Sequence, residues 1–117
     1  MRATIRSVLS FDVDDLSTWV PSGPGWCLGV RILAGPLGDQ GEESFDLTVC
    51  DPAWLSGRAD ADGVVDGRHL LVMNGFDWDV LLGYLSRRVE ACKGSSWEEV
   101  GAQLARLGYW EFEDYSG

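Results

Sequence analysis

Up to about residue 73, apolar side chains recur at every second position. Beyond Asp77 they recur at every third or fourth. Period two is the mark of a strand and a spacing near 3.6 that of a helix, so the pattern predicts strands first and helices afterwards. Residues 3–9 alternate, with Ala3, Ile5, Ser7 and Leu9 on one side and Thr4, Arg6 and Val8 on the other. Trp26, Leu28, Val30, Ile32 and Ala34 alternate with Cys27, Gly29, Arg31 and Leu33, the clearest strand in the chain. Phe45, Leu47 and Val49 continue the pattern after the turn-forming run Gly35 to Gly41, so these two strands should pair antiparallel as a hairpin. Leu70 to Met73 reads as a fourth core strand.

Between the strands the period is lost. Residues 10–25 form a long acidic loop rich in Asp, Pro and Gly, with Trp19 as its anchor. Asp51 followed by Pro52 reads as an N-cap and first helical residue, opening one turn that holds Trp54 and Leu55. Residues 56–68 read as turns, with Val64 and Val65 as a short strand between two of them. Asp77 caps a helix whose stripe is Trp78, Leu81, Leu82, Leu85 and Val89, and Arg87, Arg88 and Lys93 fall where cations complement the helix dipole. A second helix carries Trp97, Val100, Leu104 and Leu107. Ser96 with Glu99, or equally Ser95 with Glu98, forms its capping box, and Gly108 supplies a left-handed stop. Beyond it Trp110 and Phe112 alternate with Glu111 and Glu113, predicting an extended tail with an aromatic and an acidic face. Strands followed by helices favour an α+β fold: one domain over residues 1–117, an antiparallel sheet of about four strands and two C-terminal helices on one face. The other sheet face is left for solvent or for binding.

Composition changes this picture in three ways. The net charge is −10, with a sequence pI near 4.3, which excludes nucleic acid and anionic membranes as natural partners and favours a basic protein. Six tryptophans are spread along the chain, as in a distributed core with some anchors at a partner surface. Three widely spaced cysteines and one histidine argue against a zinc site and for buried thiols in a reducing compartment. The N-terminus has no signal-peptide apolar region and no run reaches membrane-spanning length, so the expectation is a cytoplasmic protein.

No catalytic signature stands out. His69 opens the apolar run R-H-L-L-V-M and reads as a structural histidine at the start of a strand. No Walker or dinucleotide glycine pattern is present, so no cofactor is expected. Asp-Val-Asp-Asp at 12–15 resembles a cation loop but lacks the glycine and distal glutamate of a calcium hand, and no metal is expected. With nineteen acidic residues, some carboxylate pair always suits a hydrolase, so that signal has little specificity.

The blocks G-E-E-S-F-D-L-T-V-C-D-P-x-W-L (Gly41 to Leu55), G-R-H-L-L-V (Gly67 to Val72), D-W-D (Asp77 to Asp79) and C-x-G-x-x-W-E-E-V-x5-L-x-R-x-G-Y-W-E-F-E-D-Y (Cys92 to Tyr115) together resemble the immunity protein 8 family of bacterial polymorphic toxin systems. The resemblance implies a small cytoplasmic α+β protein that binds a cognate toxin domain without chemistry of its own. It fixes neither the toxin's activity nor the interface. Many toxins act on nucleic acid and carry basic sites, which an acidic surface could occupy. The partner-binding candidates are therefore the loop carboxylates Asp12, Asp14, Asp15, Asp60, Asp62 and Asp66, and the tail carboxylates Glu111, Glu113 and Asp114. The competing readings are a small acidic structural or regulatory interaction module and a carboxylate-dependent hydrolase.

Overall fold

The computed structural model describes residues 1–111, and the tail residues Phe112, Glu113, Asp114 and Tyr115 lie outside them. Five strands and three helices follow one another as β1 (Ala3–Leu9), β2 (Cys27–Pro36), β3 (Glu43–Cys50), α1 (Pro52–Asp62), β4 (Leu70–Val72), α2 (Trp78–Glu90), α3 (Trp97–Leu104) and β5 (Tyr109–Trp110). The sheet runs β1-β2-β3-β4, and β5 also pairs with β3. β2 occupies one edge of β3 along its whole length. The other edge is shared: β5 pairs with Phe45 and Asp46, and β4 with Thr48 to Cys50.

The architecture is α+β, as expected, but the sheet is mixed. β3 and β4 are parallel, because the chain between them makes a crossover through α1. That helix is the main departure from the sequence expectation. Asp51 does cap it, accepting from Trp54 N–H at 2.8 Å, with Pro52 at the first helical position. It then continues for three turns to Asp62 and stops at Gly63, whose φ of 81° suits glycine. Asp60 and Asp62 therefore sit on a helix and not in turns, and Val64 and Val65 form no strand.

β1 departs in a second way. Its register against β2 shifts between Ile5 and Ser7. The bulge at Arg6 puts Ala3, Ile5 and Val8 toward the core, so Ser7 and Leu9 do not share a face with Ala3 and Ile5. Arg6 itself donates to the carbonyls of Pro36 and Asp39, holding the β2–β3 loop.

The core lies between one sheet face and the pair α2 and α3. Leu28, Val30, Ile32, Phe45, Leu47 and Val49 meet Leu81, Leu85, Val89, Val100, Leu104 and Leu107, all nearly or fully buried. Trp19 anchors the long loop by edge-to-face contacts with Trp26 and Phe76, at 5.7 and 5.0 Å between ring centroids. The start of α3 follows the Ser96–Glu99 alternative and not Ser95–Glu98. Ser96 accepts from the Glu99 N–H, while the Glu99 carboxylate reaches back to the N–H and hydroxyl of Ser95. Gly108 is not left-handed. A Cβ there would lie 3.0 Å from the Phe45 backbone, so close approach of the post-helical chain to β3 requires the glycine.

Candidate functional site

Alternation puts Arg31, Asp46 and Thr48 on the face turned away from α2 and α3. Arg31 and Asp46 are register partners across β2 and β3. They form a two-pronged pair, Nε to Oδ1 at 2.7 Å and Nη2 to Oδ2 at 2.9 Å. The Arg31 guanidinium also lies 4.9 Å from the centre of the Phe11 ring. Phe11 is 74% exposed and Tyr109, opposite Asp46 on β5, is 51% exposed. These residues line a groove of about 380 Å³, together with Gly29, Arg68 and His69. A smaller depression, of about 320 Å³, shares Arg31 with it and is bordered by Glu42, Glu43, Trp110 and Glu111.

His69 is where the backbone is bent to shape this face. Its φ of 57° makes it the only non-glycine residue with positive φ among the described residues. A left-handed non-glycine residue is uncommon, although histidine tolerates that conformation better than most. The ring compensates by reaching the carbonyl of Ala105, the C-cap of α3, at 2.6 Å. A carbonyl only accepts, so Nε2 carries the proton and donates. This contact ties the start of β4 to the end of α3, the structural role expected of it. Its ring also meets Tyr109 edge-on at 6.4 Å between centroids.

The predicted carboxylates divide into those around the groove and those away from it. Asp12 accepts from the Gly29 N–H at 2.6 Å, taking up the edge of β2 where β1 has ended. Asp66 accepts from the Arg68 N–H and so holds the turn that delivers Arg68 and His69 to the groove. Glu111 borders the neighbouring depression and its charge acts on Arg31. The Asp46 hydrogen bond is the larger influence and holds the Arg31 guanidinium firmly in its charged form. Asp15 and Asp62 serve local ends. Asp15 accepts from the hydroxyl and N–H of Ser17, and the hydroxyl above all keeps its carboxyl below the usual range. Asp62 pairs with Arg58 one turn back on α1, at 3.0 Å. Asp14 and Asp60 are exposed and make no hydrogen bond or ion pair among the described residues. Glu113 and Asp114 lie outside the described residues.

Sequence reasoning missed Phe11, Arg31, Asp46 and Tyr109 as site residues. The alternation of β2 and β3 did mark Arg31 and Asp46 as sharing the polar face. Phe11 carried no signal, because its place depends on how the loop returns over the sheet.

Cys27 and Cys50 face each other across β2 and β3 at the end where β3 hands over to α1. Burial pushes both thiols up, as it does Cys92, so all three are protonated and weakly nucleophilic. The shifted carboxylates, Asp15 and Glu99, are shifted down, the opposite of what a general acid needs. No helix among the described residues is long and apolar enough to cross a membrane.

No curated protein and no solved structure matches the chain. The family description immunity protein 8 matches residues 3–115, which spans every element described above. An open sheet face carrying exposed aromatics within an acidic rim accords with a protein that acts by binding another. The chain belongs to the immunity protein 8 family.

Proposed function

We propose that this protein neutralises the cognate toxin domain of a polymorphic toxin system by forming a one-to-one complex in the cytoplasm, without chemistry of its own. The observation that carries this reading is the open sheet face: Phe11 and Tyr109 are exposed beside a fixed Arg31–Asp46 pair, and Asp12, Asp66 and Glu111 surround them. Exposed aromatics at the centre of a face, ringed by charge, are the usual composition of a binding hot spot. The acidic rim and the net charge of −10 suit a basic toxin, such as a nuclease whose site is built for phosphate. Asp14, Asp60 and the tail carboxylates Glu113 and Asp114 add to the long-range field that draws such a partner in. Asp15 and Asp62 contribute to it from their local pairs.

The test is a rescue assay with the toxin domain encoded beside this chain's gene. Survival of a sensitive host only when both proteins are present, with a one-to-one complex on mixing, is the expected result. Raising salt from about 0.05 to about 0.5 M should slow association by about tenfold or more. Reversing Asp66 and Glu111 should slow it more than reversing Asp60 and Asp62. Equal and negligible effects from both pairs would remove the electrostatic part of the reading. Death of the host with both proteins present would remove the reading itself.

A further inference from the structure

The two strands that end the order β1-β2-β3-β4 are finished differently. β1 is covered at its start. Arg2, just before it, bridges to Lys93, with Ala3 N–H donating to the Cys92 carbonyl and Gly94 N–H to that of Met1. The bulge at Arg6 also bends it. A bulge and a covering segment are ordinary ways to protect a strand edge. β4 has neither.

Its backbone bonds follow from the parallel pairing. Thr48 N–H donates to the His69 carbonyl and Met73 N–H donates to that of Cys50. Leu71, between them, turns its amide and carbonyl toward β3. Leu70 and Val72 therefore turn theirs outward, along the edge that no other strand occupies among the described residues. That edge opens into a groove of about 400 Å³ between β4 and α2, whose walls include Val72, Val80, Leu81, Tyr84 and Arg87. Val80 is 59% exposed and Val72 is 48% exposed.

We propose that this edge receives an extended segment of the toxin, which adds to the sheet as a further strand beside β4. The inference rests on the toxin-binding reading above and deepens it. Backbone pairing with Leu70 and Val72 supplies the register, and alternate side chains of the incoming segment enter the apolar groove. Arg87 is the one charged side chain among the residues lining the groove, so it selects a segment that places a carboxylate beside it. Continuity favours the toxin as occupant. Thr48 lines the open-face groove and is the register partner of Leu70, so a protein seated on that face is one residue away from the β4 edge. A second copy of this chain is disfavoured, since each copy carries a charge of −10.

Amide hydrogen exchange read by NMR, on the free protein and on its complex with catalytically inactivated toxin domain, tests this. The amides of Leu70 and Val72 should slow by about a hundredfold on binding, while that of Leu71, already bonded, changes much less. Val80→Glu, an exposed site where folding is retained, should weaken the complex by about tenfold, and Arg87→Glu by a similar factor. Unchanged exchange at Leu70 and Val72, or wild-type affinity in Val80→Glu while Phe11→Ala loses binding, overturns the strand addition and leaves the toxin reading standing. Absence of any complex overturns both. Protection of Leu70 and Val72 that grows with protein concentration in the absence of toxin overturns the choice of occupant in favour of self-pairing.

Discussion

The two faces of the sheet are cut from the same strands, yet they are built to different ends. Even positions of β2 and odd positions of β3 supply Leu28, Val30, Ile32, Phe45, Leu47 and Val49, closed under α2 and α3. The intervening positions supply Arg31, Asp46 and Thr48, with Phe11 and Tyr109 standing exposed beside them. A period of two lets one hairpin carry both, because neighbouring residues point to opposite faces. Stability is concentrated on one face, and the other stands outside the core.

The largest expected effect breaks the first face. Phe45 is fully buried and stacks on Trp110 at 5.9 Å between ring centroids. Phe45→Ala should cost about 3–5 kcal/mol in urea unfolding. Wherever the variant still folds, it should still bind toxin. A variant that keeps its stability but loses binding would show that the two faces are not separable.

Asp51 comes next, at the seam where the long loop, β3 and α1 meet. It is the one buried charged residue among the described residues, accepting from Gly25 N–H at 2.9 Å and from Trp54 N–H at 2.8 Å. Asp51→Ala leaves both donors without this partner and should cost about 2–3 kcal/mol, whereas Asp51→Asn keeps an acceptor for the cap and should cost less. Equal costs would mean that charge, and not the acceptor geometry, holds the seam.

The same contrast explains what could be read in the sequence. The covered face was legible because burial imposes its period on the residue order, and the β2–β3 hairpin and the stripes of α2 and α3 follow from it. α1 was not legible beyond its cap. None of its residues is buried, so no stripe marks it, and Gly57 and the aspartates read as breakers. Caps at both ends and the Arg58–Asp62 pair define it. With the crossover unseen, β4 could not be read as parallel. The bulge at Arg6 shifts the period without any marker residue. On the open face, residue type was visible but use was not. Asp12 reads as one more loop carboxylate until the end of β1 leaves the Gly29 amide for it to bond.

The open face is sharpened by substitutions that leave stability alone. Tyr109→Ala and Phe11→Ala should each weaken toxin binding by about 2 kcal/mol, measured by calorimetry, while the urea midpoint moves little. The Arg31–Asp46 pair is part-exposed, so a double-mutant cycle on folding should give only about 0.2–1 kcal/mol. If that coupling grows in the complex, the partner has desolvated the pair, which places the toxin directly on this face.

The smallest effect belongs to a carboxylate on the helical side. The Ser95 N–H, and then the Ser95 hydroxyl, hold the Glu99 carboxyl below its ordinary value. The folded state therefore binds this proton more weakly than the unfolded chain does. The resulting stabilisation is fully present above the unfolded pKa, near about 4.3, and is lost as pH falls through the lowered folded value. Glu99→Gln should thus unfold slightly more easily than the parent at pH 7, and the gap should narrow as pH falls below about 4.3. Toxin affinity at pH 7 should be unchanged, since Glu99 lies at the start of α3 and not on the open face. A gap that does not narrow as the pH is lowered would trace the effect to packing of the side chain, and a change in affinity would extend the partner's footprint beyond the face that Phe11 and Tyr109 define.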